Sequence, residues 1–296
     1  MSDDLRIVWV PPTGTDNIEM TPDGEYRLMD IQGFGYVPNE PIEHSAPGQT
    51  GTTFIGQTVN SRELRVVLEL DAESWGDLWD MRRRFARAFA SVPSIPGERP
   101  RAGIVRVFQS GQEAVEIDAV LSNSGDPVLE PAAHYAETEL LFIAPYPYWR
   151  EVSDRRVDLV ADALGLEYPM VFPFEIPAGF PEANVVNSGD VPASIEVRIR
   201  GEVVNPQITN LTTGHTLALD AHVAEGEQVV IVTAFGAKSI THIAADGTES
   251  NLMSAIDLDE SDFWVLEPGN NHVRFDASNN VSGDARLTWR NRWAGV

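Results

Sequence analysis

Apolar residues recur at every second position through most of this chain, and that period marks strands with one buried face. Ile195, Val197 and Ile199 alternate with Glu196, Arg198 and Arg200. Val273 and Phe275 flank Arg274, and Ala285, Leu287 and Trp289 share a face opposite Arg286, Thr288 and Arg290. Turn signals separate these runs at Thr213-Gly214, Glu225-Gly226, Asp246-Gly247 and Pro268-Gly269. Short strands at this spacing predict a mainly β chain whose second half is an antiparallel β-sandwich, closed by its last strand.

The first half reads as β too. Leu5, Ile7 and Trp9 share one face, a strand pair surrounds Asp30, and Leu64 to Leu70 alternates. Residues 36–53 are rich in Pro, Gly and Thr and predict an exposed loop or long hairpin arm. Ile104–Phe108 and Val115–Leu121 predict a hairpin across Ser110-Gly111. Thr138, Leu140 and Phe142 define another strand.

The period changes once. Trp75, Leu78, Trp79, Arg82, Phe85, Ala86 and Phe89 fall on one helical stripe, predicting a helix over 74–90 with an aromatic buried face. Ser74 with Asp77 forms a capping pair, and Pro93 and Pro96-Gly97 stop the helix. Two prolines in Ala144-Pro145-Tyr146-Pro147-Tyr148-Trp149 end the first domain. The reading is therefore a first domain over 1–149 and a second over 150–296, with 150–183 as linker or edge strands. Further strands are expected near 207–211, 215–219, 227–233, 238–243, 263–266, 272–276 and 285–290.

At 296 residues the chain is long enough for two cores. It has no cysteine, so disulfides, thiol chemistry and Cys-ligated metals are excluded. Its formal charge is −24, divided evenly between the halves. Stable nucleic-acid binding needs a clustered positive surface and is not expected. A like-charged wall repels DNA and suits a conduit, although solubility alone accounts for such a charge. The acidic start Met1-Ser2-Asp3-Asp4 and the absence of a long apolar run predict neither Sec export nor membrane insertion.

The search for chemistry yields little. Gly51-Thr52-Thr53-Phe54-Ile55-Gly56-Gln57-Thr58 matches a phosphate loop at its glycines and threonine, but Gln57 stands where the lysine belongs. His44, His134, His215, His222, His242 and His272 lack metalloprotease spacing; His215 and His222 could share a metal from neighbouring strands, but without a third ligand scattered surface histidines are the expectation. Asp257, Asp259, Glu260 and Asp262 invite calcium but lack the EF-hand glycine and twelfth-position glutamate, so a solvated loop is the default. No catalytic residue, cofactor or metal site is assigned. Arg82, Arg83, Arg84 and Arg87 form a basic patch, read either as a subunit contact or as partners of Asp77, Asp80 and nearby acids.

The ordered pieces resemble the distal tail protein (Dit) family of long-tailed, siphovirus-type bacteriophages. In the first half these are Gly33-Phe34-Gly35, the strand over 62–70, the aromatic-arginine helix and the Phe142-to-Trp149 ending, in which Ala144 stands where many members have Asp. In the second they are Asn187-Ser188-Gly189-Asp190, the Gly201-to-Ile208 run, Gly226-Glu227, Asp246-Gly247, Trp264 to Asn271, and Trp289-Arg290-Asn291-Arg292-Trp293. The resemblance implies a tube-protein-like N-terminal β domain and a galectin-like C-terminal sandwich. It implies a non-enzymatic, hexameric ring at the virion tail tip, assembled in the host cytoplasm. Implied neighbours are the tail tube, tape-measure protein, tail-associated hub or lysin, and receptor-binding proteins.

Two other classes have stated requirements. A lectin-like host-surface adhesin, or other carbohydrate-binding module, requires Trp264, Trp289 or Trp293 exposed in a cleft; these are expected to be core. A glycan hydrolase requires two carboxylates flanking a cleft.

Overall fold

The computed structural model describes residues 5–14, 16–89, 101–124, 128–130, 134–160, 181–257, 261–280 and 283–296. The expected helix stop at Pro93 and Pro96-Gly97 lies outside them. The chain divides into two compact units: Met1–Val152 with Trp293–Val296, and Ser153–Arg292.

The first unit contains β1 (Arg6–Val10), β2 (Ile18–Thr21), β3 (Tyr26–Gln32), β4 (Asn39–His44), β5 (Thr53–Val59) and β6 (Arg62–Asp71). Helix α1 (Trp75–Ala88) follows, then β7 (Gly103–Phe108), β8 (Val115–Ser124), β9 (Val128–Glu130), β10 (Tyr135–Ala144) and β11 (Trp149–Glu151). One sheet runs β11-β8-β7-β1-β2-β3-β6-β10-β9, and an added β8–β10 pairing closes its middle into a barrel. Closure removes the exposed edges that a curled sheet otherwise presents. The β2–β3 pairing is parallel; the other described pairings in this sheet are antiparallel.

Alternation explains the core. Along β6, Arg62, Leu64, Val66, Leu68 and Leu70 are buried between more exposed neighbours. Along β10, Ala136, Thr138, Leu140, Phe142 and Ala144 do the same. Trp9 packs on Phe89 and Phe142 with ring centroids 5.7 and 4.9 Å apart. At Gly103 a Cβ would collide with the Trp9 indole, so this strand position admits only glycine while Trp9 keeps its place.

Arg62 is fully buried on this inward row, where its hydrogen-bond partners among the described residues are backbone carbonyls rather than carboxylates. Its guanidinium donates to the carbonyls of Gly33 (3.0 Å), Phe34 (2.9 Å) and Ala294, and burial pulls its pKa down. Val296 N–H also donates to Phe34 O, at 3.2 Å. The last four residues are thus tied into the first unit, whereas the sequence reading placed them in the second domain. Part of their attachment runs through backbone groups of Phe34 and Ala294, which carry no side-chain signal in the sequence.

The second unit contains β12 (Arg155–Val160), β13 (Glu182–Asn187), β14 (Ile195–Arg200), β15 (Val203–Asn210), β16 (His215–Ala218) and β17 (His222–Val223). It continues with β18 (Gln228–Val232), β19 (Ser239–Ile243), β20 (Glu249–Asn251), β21 (Gly269–Asn280) and β22 (Asp284–Trp289); β23 (Arg292–Trp293) leads back to the first unit and pairs with β11. One sheet is ordered β12-β22-β14-β18-β19-β20 and the other β13-β21-β15-β16, with β17 on β15. Both contribute to one cluster that includes Val197, Ile231, Phe275 and Leu287, which is the sandwich arrangement. The chain is mainly β with one α-helix among the described residues. Residues 155–160 and 182–187 are edge strands, while 161–180 lie outside the described residues.

The strand expected at 263–266 does not form. Leu266 exchanges a single bridge with Ala193, and Trp264 turns inward to donate from Nε1 to Ile208 O at 3.4 Å. This segment is apolar because it crosses the core, without a ladder of its own.

Candidate functional site

Helix α1 begins where Ser74 accepts the Asp77 N–H at 3.3 Å and donates from Oγ to Asp77 Oδ2 at 2.6 Å. Leu78, Met81, Phe85 and Ala88 are buried, followed by Phe89. This corrects the expected stripe: Trp75, Trp79 and Ala86 face outward, with Trp79 half exposed. Two buried donors fix the rotation. Tyr26 Oη donates to Met81 O at 3.1 Å, and Trp9 Nε1 donates to Ala88 O at 2.9 Å. Size favours the tryptophans inside, but the 78, 81, 85, 88 row matches the helical repeat and meets these partners.

The four arginines do not act alike. Arg82 lies over the Trp79 ring, 5.1 Å from its centroid. Arg83 reaches Asp80 at 3.5 Å and Arg84 reaches Glu25 at 2.9 Å. Arg87 sits in the last turn, where a cation complements the helix dipole. Arg83, Arg84 and Arg87 line an open cleft of about 1380 Å³ shared with Asp23, Asp71 and Asp77. The outward face of α1 therefore carries two tryptophans and basic side chains beside a cleft of mixed charge.

A second exposed surface lies on β4 and β5. They form a two-stranded sheet of their own, so the segment over 36–53, read as an exposed loop or long hairpin arm, holds the first strand of such an arm and its tip at 45–52. Phe54 is 63% and Ile55 65% exposed, and Ile42, Val59 and Tyr36 are exposed as well. The register sets Phe54 across from Glu43, and a shift between Ile42 and Glu43 marks a bulge. The lookalike phosphate loop runs into this arm: Gly56 and Gln57 are strand residues, so no helix N-terminus faces a phosphate.

His215 and His222 cannot share a metal ion. His215 pairs across from Asn210 and His222 across from Val204, six residues apart along β15, or about 20 Å. Each meets a carboxylate instead, His215 with Asp262 at 2.9 Å and His222 with Glu202 at 3.9 Å. His242 and His272 pair likewise with Glu227 and Glu182. Of the acidic run considered for calcium, Asp259 and Glu260 lie outside the described residues; no group of three or more His, Asp or Glu suited to a metal occurs among those described. Trp264 and Trp289 are buried, and Trp293 packs partly against the first core.

The motifs of the second half form a network around four buried asparagines. Asn187 Nδ2 donates to Val191 O and Leu266 O, each at 3.0 Å. Asn210 Nδ2 donates to Asn271 Oδ1 at 2.9 Å, and Asn271 donates on to Glu267 O at 2.8 Å. Asn291 Oδ1 accepts from Ser188 N at 3.1 Å and from Trp289 Nε1 at 3.2 Å. A Cβ at Gly189 would strike the Arg292 backbone. These motif residues pin loops together, and a buried amide satisfied on several sides is a structural element.

The comparisons agree with this geometry. Residues 188–293, the stretch holding most of that network, match the family described as siphovirus-type tail component, C-terminal domain. Within the second unit, residues 188–293 thus carry the signature of that tail-component domain. A crystal structure of the Dit (gp 19.1) protein of phage SPP1 superposes with a TM-score of 0.65 at 12% identity, covering 97% of this chain and 98% of that one. That protein is described as a paradigm of hub adsorption apparatus in phages infecting Gram-positive bacteria. A chain of the phage P2 baseplate, in its activated conformation with Ca, matches this chain with a TM-score of 0.53 at 11% identity over 97% and 98% of the two chains. The strontium-bound P2 baseplate gives 0.51 at 11% identity over 96% and 97%. No curated protein sequence matches the chain. At such low identities the Dit fold persists while most side chains differ.

Proposed function

We propose that this chain is a Dit-family protein, a non-enzymatic structural subunit of a phage tail tip, built as a hexameric ring that joins the tail tube to the baseplate or adhesion apparatus. The observation that carries this reading is the match of both units together, nearly end to end, to a Dit protein of an adsorption hub. The closed barrel of the first unit supplies a rigid body for a ring. The second unit, read as galectin-like, supplies an outward sandwich that can support receptor-binding proteins. Its fold carries no implication of sugar binding. The tail tube, tape-measure protein and tail-associated hub or lysin are the expected neighbours, and the virion tail tip is the expected location, after assembly in the host cytoplasm.

The charge of −24 fits a conduit, because an acidic lumen does not retain passing DNA. The basic patch at Arg82, Arg83, Arg84 and Arg87 is proposed as part of the contact between subunits. Negative-stain imaging of the purified chain tests the reading: annular particles with sixfold averages support it. A dispersed monomer that binds glycans would instead favour the lectin-like adhesin.

A further inference from the structure

An isolated two-stranded hairpin is at best marginally stable in water. The β4–β5 arm is nevertheless formed, and it exposes Phe54 and Ile55 instead of burying them on its own unit. Its charge is one-sided as well. Between residues 36 and 61 the chain has Glu40 and Glu43 but no lysine or arginine. An apolar, acidic surface of this kind is completed by one that is apolar and basic.

The outward face of α1 is such a surface. Trp75, Trp79, Arg82 and Arg83 fall on one contiguous side of the helix, and Trp75 and Trp79 are among the exposed large apolar residues. The two surfaces are rooted at opposite ends of β6. The arm springs from the Arg62 end of β6, and Trp75 lies at the Asp71 end, stacked edge-on to His134 at 5.4 Å. The strand between them is ten residues long, about 30 Å.

We propose that the β4–β5 arm of one copy docks on the Trp75–Trp79 face of α1 in the next copy, with Glu40 and Glu43 set against Arg82 and Arg83. The occupant is a second copy of this chain, because a chain of charge −24 repels its own copies except where it sets local opposite charge between them. The contact joins two different patches. It is therefore head-to-tail, the type that generates a ring when the rotation closes. This inference rests on the ring reading above and assigns it a specific contact.

The absence of native cysteine makes the test direct. Gln57→Cys on the arm and Ala86→Cys on the helix face both replace exposed residues. The two single variants are mixed and treated with a short bis-maleimide, while native mass of the untreated wild type is recorded in parallel. The expected result is a cross-linked dimer in the mixture that neither variant gives alone. Adding Glu43→Arg to the arm variant should lower the yield about fivefold, the scale of exchanging one exposed attraction for repulsion, and Arg83→Glu in its partner should restore it. A multimeric wild type without the cross-link would overturn the arm contact and leave the ring standing. Monomer at every concentration, again without the cross-link, would overturn both.

Discussion

Asn271 shows how a polar residue holds this fold without touching a ligand. It is fully buried; its Oδ1 accepts from Asn210 and from Glu267 N–H, and its Nδ2 donates to the carbonyls of Glu267 and Gly269. Asn271→Ala leaves these groups unpaired, and about 2–3 kcal/mol of destabilisation is expected in the unfolding of the second unit. Urea titration followed by tryptophan fluorescence measures it, and a shift below about 0.5 kcal/mol would show that the network is incidental. Arg62 makes the same point in the first unit. Arg62→Met removes the donor shared by Gly33, Phe34 and Ala294, so the C-terminal residues should become readily cleaved by carboxypeptidase. Unchanged protection would mean that Trp293 packing alone secures them.

Among the elements, α1 is where sequence and structure part most usefully. Phe85→Ala removes a ring that packs on Tyr26 and Phe89, and it should cost about 3–5 kcal/mol. Trp79→Ala removes a half-exposed ring under Arg82 and should cost less than about 1 kcal/mol. Equal losses in urea titrations of the two variants would restore the aromatic stripe. The helix itself, its Ser74 cap and the alternation of β6, β10, β14 and β22 were legible, because each is a local pattern with a period. The helix rotation was not legible, since it depends on Tyr26 and Trp9, more than 50 positions away in sequence. Barrel closure through β8–β10 was hidden for the same reason. The arginines at 82, 83, 84 and 87 were visible as a patch, but their division between a tryptophan face and an acidic cleft required the fold.

At the scale of the whole molecule, electrostatics sets the conditions under which the chain works. Side-chain hydrogen bonds from Arg286 and Arg65 hold the carboxyls of Asp158 and Glu139 below the usual carboxylate range. A carboxylate whose folded pKa is depressed contributes stability above its unfolded pKa, near 4, and loses that contribution as pH falls through the folded value. Resistance to urea should therefore decline between about pH 5 and pH 3, and Asp158→Asn should flatten part of that decline. A variant profile parallel to wild type would remove Asp158 from the account.

The central claim is that the chain functions as a ring subunit, through shape and contact. Native mass spectrometry of the purified chain at neutral pH and moderate salt tests it most directly. The account predicts a species of six times the 32.5 kDa protomer mass, formed alone or on addition of cognate tail components. A single protomer under every one of those conditions would contradict it.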